Sequence, residues 1–399
     1  MREDTDVVIV GAGLVGLSLA AALARSPLKV IIVDSRPDSE DAQQVTKSRD
    51  GFSLRSGIAA RVSSISLNSS EFLRRIGAWD RIAADRLTAF TAMHVWDGRG
   101  TSHVDFGGED DKPMGHIVEN FCIENALVEV LKEAENIDFQ WQSVLSEINH
   151  MDDGYDLVFA DGREIHCVLL VGADGGNSKV RELCAMRTIR WSYRQSALVT
   201  TVETVLAHDN IARQCFTKYG PLAFLPLPDK HLCSVVWSVK NVDELEALDD
   251  QEFCELLTSS FEGQAGGVLG VDKRLSFPLV QQHAMQYVNN HVALIGDAAH
   301  TIHPLAGQGA NLGFADARCL SLLLAGTKLE GRSIGDIQLL KQYQRQRQLD
   351  NVVMASVMES FKRMYNTDNP AINWFRNTGM RFVNENASLK SIIAKLAGT

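Results

Sequence analysis

Gly11-Ala12-Gly13-Leu14-Val15-Gly16 stands between a β-branched run, residues 6–10 (DVVIV), and a strong helix former, residues 14–24. A second short apolar run, residues 30–33 (VIIV), follows and is closed by Asp34, 23 residues past Gly11. Strand, turn, helix and strand in this order make a βαβ unit. Its glycines permit a tight turn, let a pyrophosphate approach the N–H groups at the helix N-terminus, and let helix and strand pack closely. Asp34 is placed to accept hydrogen bonds from the ribose hydroxyls of an adenosine. A dinucleotide with an ADP half is therefore expected on Gly11, Gly13, Gly16 and Asp34; the motif alone does not say which dinucleotide.

The same stretch is nearly unbroken in apolar residues from 7 to 24 and resembles a signal peptide or a membrane span. It follows the acidic Glu3, Asp4 and Asp6 rather than a basic segment, and spaced glycines interrupt it, so strand, turn and buried helix is the better reading. The whole chain, 399 residues and 45% hydrophobic, has room for two or three cooperating units with a sizeable core. Its 39 basic and 50 acidic residues give a net charge of −11, which argues against nucleic acid as a partner. Seven scattered cysteines without a C-x-x-C pair suggest neither zinc nor redox exchange; no metal is expected, and a reducing cytoplasm fits.

Further along, residues 35–56 are polar and read as a surface loop. Residues 68–76 and 122–134 read as amphipathic helices, the second with Ile123, Leu127, Val130 and Leu131 on one face. Residues 139–171 and 197–239 are strand-rich, with Asp152-Asp153-Gly154 and Asp161-Gly162 as turns. Residues 292–295 (VALI) form another buried run, and the chain beyond Gly313 is mostly helical. Nucleotide-type motifs at both ends of a strand-rich middle predict a discontinuous nucleotide unit with a second sheet inserted.

Two further motifs sit at strand ends. Residues 171–181 run Val-Gly-Ala-Asp-Gly-Gly-Asn-Ser-Lys-Val-Arg, and Gly296-Asp297-Ala298-Ala299-His300 leads into Pro304-Leu305-Ala306-Gly307-Gln308-Gly309-Ala310-Asn311 and then Asp316-Ala317. An aspartate after a strand can hold a sugar-like hydroxyl, and amides entering a helix N-terminus can face negative charge.

With these three fingerprints, G-x-G-x-x-G, D-G-x-x-S-x-x-R and G-D-A-A-H-x-x-x-P-x-x-G-Q-G-x-N, the sequence resembles the group A flavin-dependent aromatic hydroxylases, the single-component FAD monooxygenases. Within that family it is most similar to the ubiquinone-biosynthesis hydroxylases, of 2-polyprenylphenol hydroxylase type. That likeness lies in Gly115-His116-Ile117-Val118-Glu119-Asn120, Ala223-Phe224-Leu225-Pro226-Leu227, Cys233-Ser234-Val235-Val236-Trp237-Ser238 and residues 300–309, and spans about residues 5–365.

The resemblance implies an α/β fold: a Rossmann-like FAD-binding domain of p-hydroxybenzoate hydroxylase type, an inserted, mainly antiparallel β-sheet substrate domain, and C-terminal helices. The expected boundaries are 1–80, 112–182 and 276–330 for the first, 81–111 and 183–275 for the second, and 331–399 for the helices. It further implies tightly bound FAD, with Arg61 by the pyrophosphate and ribose, Asp174 and Arg181 in the fingerprint shared by FAD and NAD(P)H, Asp297 on the ribityl chain, and Gly307, Gln308, Gly309 and Asn311 approaching the ring.

NAD(P)H would be a transient co-substrate, O2 would add at the flavin C4a position, and the distal oxygen of the hydroperoxide would pass to the ring of a polyprenylphenol, with C5 preferred. Leu222, Phe224, Leu225, Pro226 and Trp237 are the expected substrate walls. No base can be named; His303 and Pro304 are the candidates nearest the motif, His300 suits a structural role as well as a catalytic one, and His116 and Glu119 suit a surface or packing role beside the flavin. Other ubiquinone-biosynthesis proteins are candidate partners.

The tail is basic: residues 332–399 carry ten Lys or Arg against five Asp or Glu. With Val353, Met354, Val357, Met358, Phe361, Met364 and Tyr365 at helical spacing, it suits either packing on the core or peripheral contact with an anionic inner-membrane face, through Arg345, Arg347, Lys362 and Arg363. The competing readings are a hydroxylase of a soluble aromatic, a halogenase or prenyl reductase, and a non-catalytic FAD-binding subunit of a biosynthetic complex. The W-x-W-x-I-P run of halogenases is absent from the sequence.

Overall fold

Val7, Val8 and Ile9 are fully buried and Val10 nearly so, which leaves their strand, Glu3–Val10, no polar face and places it inside a parallel sheet. It pairs in parallel with Val30–Val33 on one side and Glu164–Gly172 on the other. The sheet continues outward to Ile137–Gln140 and, at the other edge, to Val292–Leu294 and Val288–Asn289. The hairpin Leu145–Met151 and Gly154–Phe159 adds antiparallel to Glu164–Gly172. The computed structural model describes residues 3–37, 57–98, 100, 102–107, 112–301, 309–365, 384 and 386. Most of the polar segment 35–56 lies outside them.

Helix α1 (Leu14–Leu23) is apolar all round, as a helix enclosed on several sides must be. It packs beside α3 (Asn120–Lys132) and α7 (Gly309–Leu329), with α2 (Leu67–Arg75) against the latter. Helix α3 buries Ile123, Ala126, Leu127 and Leu131 into the same core, close to the face expected from its periodicity. A short helix α4 (Lys179–Leu183) follows the parallel strand Glu164–Gly172. A three-stranded sheet of Val62–Ser66, Gly115–Glu119 and Leu87–Phe90 bridges to the second large sheet.

That second sheet is antiparallel except where Ile211–Phe216 runs parallel to Ala92–Asp97. Its spine is the long strand Thr188–Thr204, flanked by Leu232–Val239 and Leu275–Ala284. Helices α5 (Val242–Glu246) and α6 (Asp250–Ser260) lie beside it, and Phe253 and Leu257 of α6 are buried against the sheet side chains. Two expected boundaries shift. Residues 276–284, expected in the nucleotide unit, are hydrogen-bonded along Thr188–Thr204 instead, and the chain rejoins the first sheet only at Val288. Leu87–Phe90, expected in the substrate unit, pairs with Gly115–Glu119. Strand partners are long-range choices, which local composition does not encode.

The last long helix, α8 (Ile337–Tyr365), packs on α7 and on the edge strand Val288–Asn289. Among the described residues no helix is long and apolar enough to cross a membrane.

Candidate functional site

The parallel sheet and the second sheet enclose a cleft of about 910 Å³. At one end lies the first glycine turn, and the three glycines have separate tasks. Gly11 has φ +107°, and a Cβ on it would stand 2.4 Å from the Ala173 carbonyl oxygen; a Cβ on Gly16 would stand 2.0 Å from the Gly11 oxygen. Both positions are closed by protein packing. Gly13 meets nothing within 4 Å and lines the cleft, and it begins α1 with no side-chain cap, so the helix presents bare N–H groups and open space together.

Asp34 ends the second strand, and its Oδ2 accepts from the Ala12 N–H at 2.7 Å. Arg36 reaches back to it, with Nε and Nη2 each at 3.1 Å, donates to the Ala12 carbonyl, and pairs with Glu124 at 3.5 Å. Burial works against the Arg36 charge, but Asp34 and Glu124 outweigh it and hold its pKa above the ordinary arginine range. Arg36 and Glu124 both line the cleft, and sequence reasoning missed both. The only signal was their place just beyond Asp34 and early in an amphipathic helix.

In the second motif the side chains serve the turn. Asp174 Oδ2 accepts from the N–H groups of Lys179 and Val180 at 2.6 and 3.1 Å, and Ser178 Oγ from that of Arg181 at 3.0 Å, so both cap α4. Arg181 is buried and spends its guanidinium on two carbonyls, Gly176 and Ala298. Asp174 and Gly175 line the cleft.

The third motif begins with a tight turn in which Asp297 alone is exposed; Gly296, Ala298, Ala299 and His300 are buried. Asp297 faces the cleft while protein encloses its other sides, and this enclosure raises its pKa, opposed in part by His300 and Arg61. Arg61 lines the cleft with its guanidinium 5.8 Å from the Phe277 ring centre. His300 Nε2 is 2.5 Å from Asp316 Oδ2, which supports a packing role rather than that of a substrate base. Gly309 opens α7, and a Cβ on it would meet nothing within 4 Å. The Asn311 side chain is turned away to the backbone of Ser64 and Ser66, at 2.8 and 3.0 Å, and ties α7 to the bridging sheet. His303, Pro304, Gly307 and Gln308 lie outside the described residues.

The substrate wall differs from expectation. Leu222, Phe224 and Trp237 point to the far face of the second sheet, where they pack with Phe253 and Phe261 under α6. Leu225 belongs to a separate cluster with Phe90 and Ile117, and Pro226 is buried within its strand. The side chains that face the cleft are Ala197, Val199, Val236, Phe277 and Leu279. Both faces of this sheet are covered, so every position in residues 222–227 is buried or nearly so, and no polar alternation marks which face is which.

Glu119 is buried and receives the Ala59 N–H at 2.6 Å and Arg86 at 2.9 Å, which fixes the approach to Arg61. His116 stacks edge-on against Trp79. On α8, Arg347 is buried and paired with Asp316 at 2.8 Å, so it is not available to a bilayer. Val353 is partly exposed, whereas the side chains of Val357, Met358, Phe361, Lys362, Arg363, Met364 and Tyr365 lie outside those described.

The FAD binding domain family matches residues 4–360. The chain belongs to this family of FAD-dependent monooxygenases. It is 33% identical to the ubiquinone biosynthesis monooxygenase COQ6 of Xenopus tropicalis, over 98% of this chain and 93% of that one. It is 32% identical to the 3-demethoxyubiquinol 3-hydroxylase of Escherichia coli, over 99% of each. In fold it is similar to the p-nitrophenol 4-monooxygenase PnpA of Pseudomonas putida, with a TM-score of 0.78 at 19% identity, covering 100% of this chain and 99% of that one. PqsL of Pseudomonas aeruginosa is similar with a TM-score of 0.74 at 18% identity, over 95% of this chain and all of that one.

The cleft fits FAD on a physical criterion. Gly13, Gly175 and Gly309 each leave open space where a Cβ would stand, and all three line the same cleft, so backbone can approach a long ligand at three places.

Proposed function

We propose that the chain hydroxylates the aromatic ring of a polyprenylphenol intermediate of ubiquinone biosynthesis, with NAD(P)H and O2 as co-substrates. One observation carries this reading. The apolar wall of Ala197, Val199, Val236, Phe277 and Leu279 shares a single cleft with the glycine turns, which lets a ring and its prenyl stem lie beside the cofactor.

In this reading Gly13 and Asp34 face the ADP half of FAD, Gly11 and Gly16 shape the turn that lets it approach, and Arg36 and Glu124 keep Asp34 in place. Arg61 stands by the pyrophosphate, Asp297 by the ribityl chain, and Gly309 gives the N-terminus of α7 to the ring, where its N–H groups stabilise negative charge. Bound there, FAD supplies hydride acceptance from NAD(P)H and activation of O2. The apolar wall orients the substrate ring and excludes water.

The ring position we assign is C5, on the likeness of Ala212-Arg213-Gln214 and residues 231–238; within the second segment, Val236 lines the cleft. Peripheral contact with an anionic inner-membrane face, from the cytoplasmic side, rests on exposed Arg345, Leu349, Val352 and Val353 of α8. The test of the assignment is metabolite profiling of a strain lacking this chain. An accumulated prenylphenol that lacks the C5 oxygen supports it; normal ubiquinone levels with no accumulated intermediate contradict it.

A further inference from the structure

Asp316 lies at the centre of a buried polar cluster that joins the start of the third motif to the last long helix. Its side chain is fully buried, yet it has four donors. Oδ2 receives the Gly296 N–H at 3.0 Å and His300 Nε2 at 2.5 Å. Oδ1 receives Arg347 Nε at 2.8 Å and Asn351 Nδ2 at 3.4 Å. Arg347 is held in turn by Asp350 at 2.8 Å and by Asn351 Oδ1 at 3.0 Å.

The geometry is informative because one carboxylate oxygen grips both ends of the turn from Gly296 to His300. Asp297, between those two anchors, is the only exposed residue of the turn and faces the cleft. The other oxygen is gripped from α8, which also packs on α7 and reaches the strand before the turn, where the Tyr343 hydroxyl donates to the Leu294 carbonyl at 2.9 Å. A buried ion pair contributes little stability over an apolar pair of the same volume, which leaves its hold on the geometry of the turn as the effect to test.

We propose that Asp316 and Arg347 are positioning residues for the flavin, a buried clamp through which α8 holds the Gly296–His300 turn and so presents Asp297 to the cofactor. The inference rests on the reading of the cleft as the FAD site, and it makes the buried face of the C-terminal helix part of that site.

The test compares full-length Arg347→Met and Asp316→Asn with Leu340→Ala, a cavity variant of the same helix at a fully buried apolar side chain that takes no part in the clamp's hydrogen bonds. Each protein is stripped of flavin and titrated with FAD, while melting temperature and the visible spectrum of the reconstituted form are recorded. All three variants are expected to melt earlier. The clamp variants are expected to bind FAD on the order of tenfold to a hundredfold more weakly, with altered flavin absorption bands. Leu340→Ala is expected to keep parental affinity and spectrum, and Arg347→Lys, which keeps the charge, to recover most of the lost affinity. Clamp variants that melt early yet bind FAD with parental affinity and spectrum would overturn the proposal while leaving the FAD reading intact. A parent protein that takes up no FAD would remove both.

Discussion

Arg181 Nη1 donates to the carbonyl of Ala298 at 2.7 Å across 117 residues of chain, and so fastens the second motif to the third. Its Nη2 holds Gly176 at the same distance, and Gln282 Nε2 reaches the same Gly176 oxygen at 2.8 Å. The D-G-x-x-S-x-x-R fingerprint therefore works here as a fastener between two loops that border one cleft.

Arg181→Met should leave the Ala298 carbonyl without its buried donor. A loss of about 2–3 kcal/mol in unfolding free energy is expected, together with weaker FAD retention. Denaturant titration and flavin release on gel filtration check it; unchanged values in both would count against the fastening role.

Gly13 and Gly16 should separate binding from folding. Gly13→Val adds its side chain to open space and should cost less than about 1 kcal/mol in stability while abolishing FAD uptake. Gly16→Ala places a Cβ 2.0 Å from the Gly11 oxygen and should yield little folded protein. A Gly13→Val protein that binds FAD normally would mean that the ligand does not approach the backbone there.

Trp237 and Val236 are neighbours in sequence on opposite faces of one strand. Trp237→Ala should cost about 3–5 kcal/mol in stability, as expected for a large core truncation, and leave substrate KM unchanged. Val236→Phe should raise KM for a prenylated phenol on the order of tenfold with the flavin spectrum intact. Reversed outcomes would mean that the substrate lies on the α6 side.

Acid should destabilise the fold before its carboxylates titrate. Burial lowers the pKa of His116, His208 and His283, assisted by Arg74 at the first and His300 at the last. At His208 the geometry requires the neutral ring: Nε2 donates to the Leu227 carbonyl at 2.9 Å and Nδ1 accepts from the Asn210 N–H at 3.0 Å. Between these lowered values and about 6.5 the unfolded chain binds more protons. Stability is thus fully present above about pH 6.5 and lost as the pH falls through that window. Denaturant midpoints at pH 7.5 and 5.5 should show the decrease, and His208→Gln should reduce it.

The nucleotide end of the molecule was legible because its constraints are local. Three glycines at fixed spacing, a β-branched run on each side and Asp34 specify one supersecondary unit, and the strands and helix formed where the pattern put them. The second sheet was legible as strands but not as faces, since helix α6 covers one side and the cleft the other, and apolar residues occupy both. Arg347 shows a third limit. On an isolated helix a basic residue belongs in water, and only the arrival of Asp316 from α7 makes its burial tolerable.

FAD held in this cleft and coupled to ring oxidation is the central claim. Purified protein should carry the yellow flavin, and addition of a prenylated phenol should accelerate NAD(P)H oxidation with matching O2 uptake and a product one oxygen heavier by mass spectrometry. A colourless protein that takes up no FAD would contradict it.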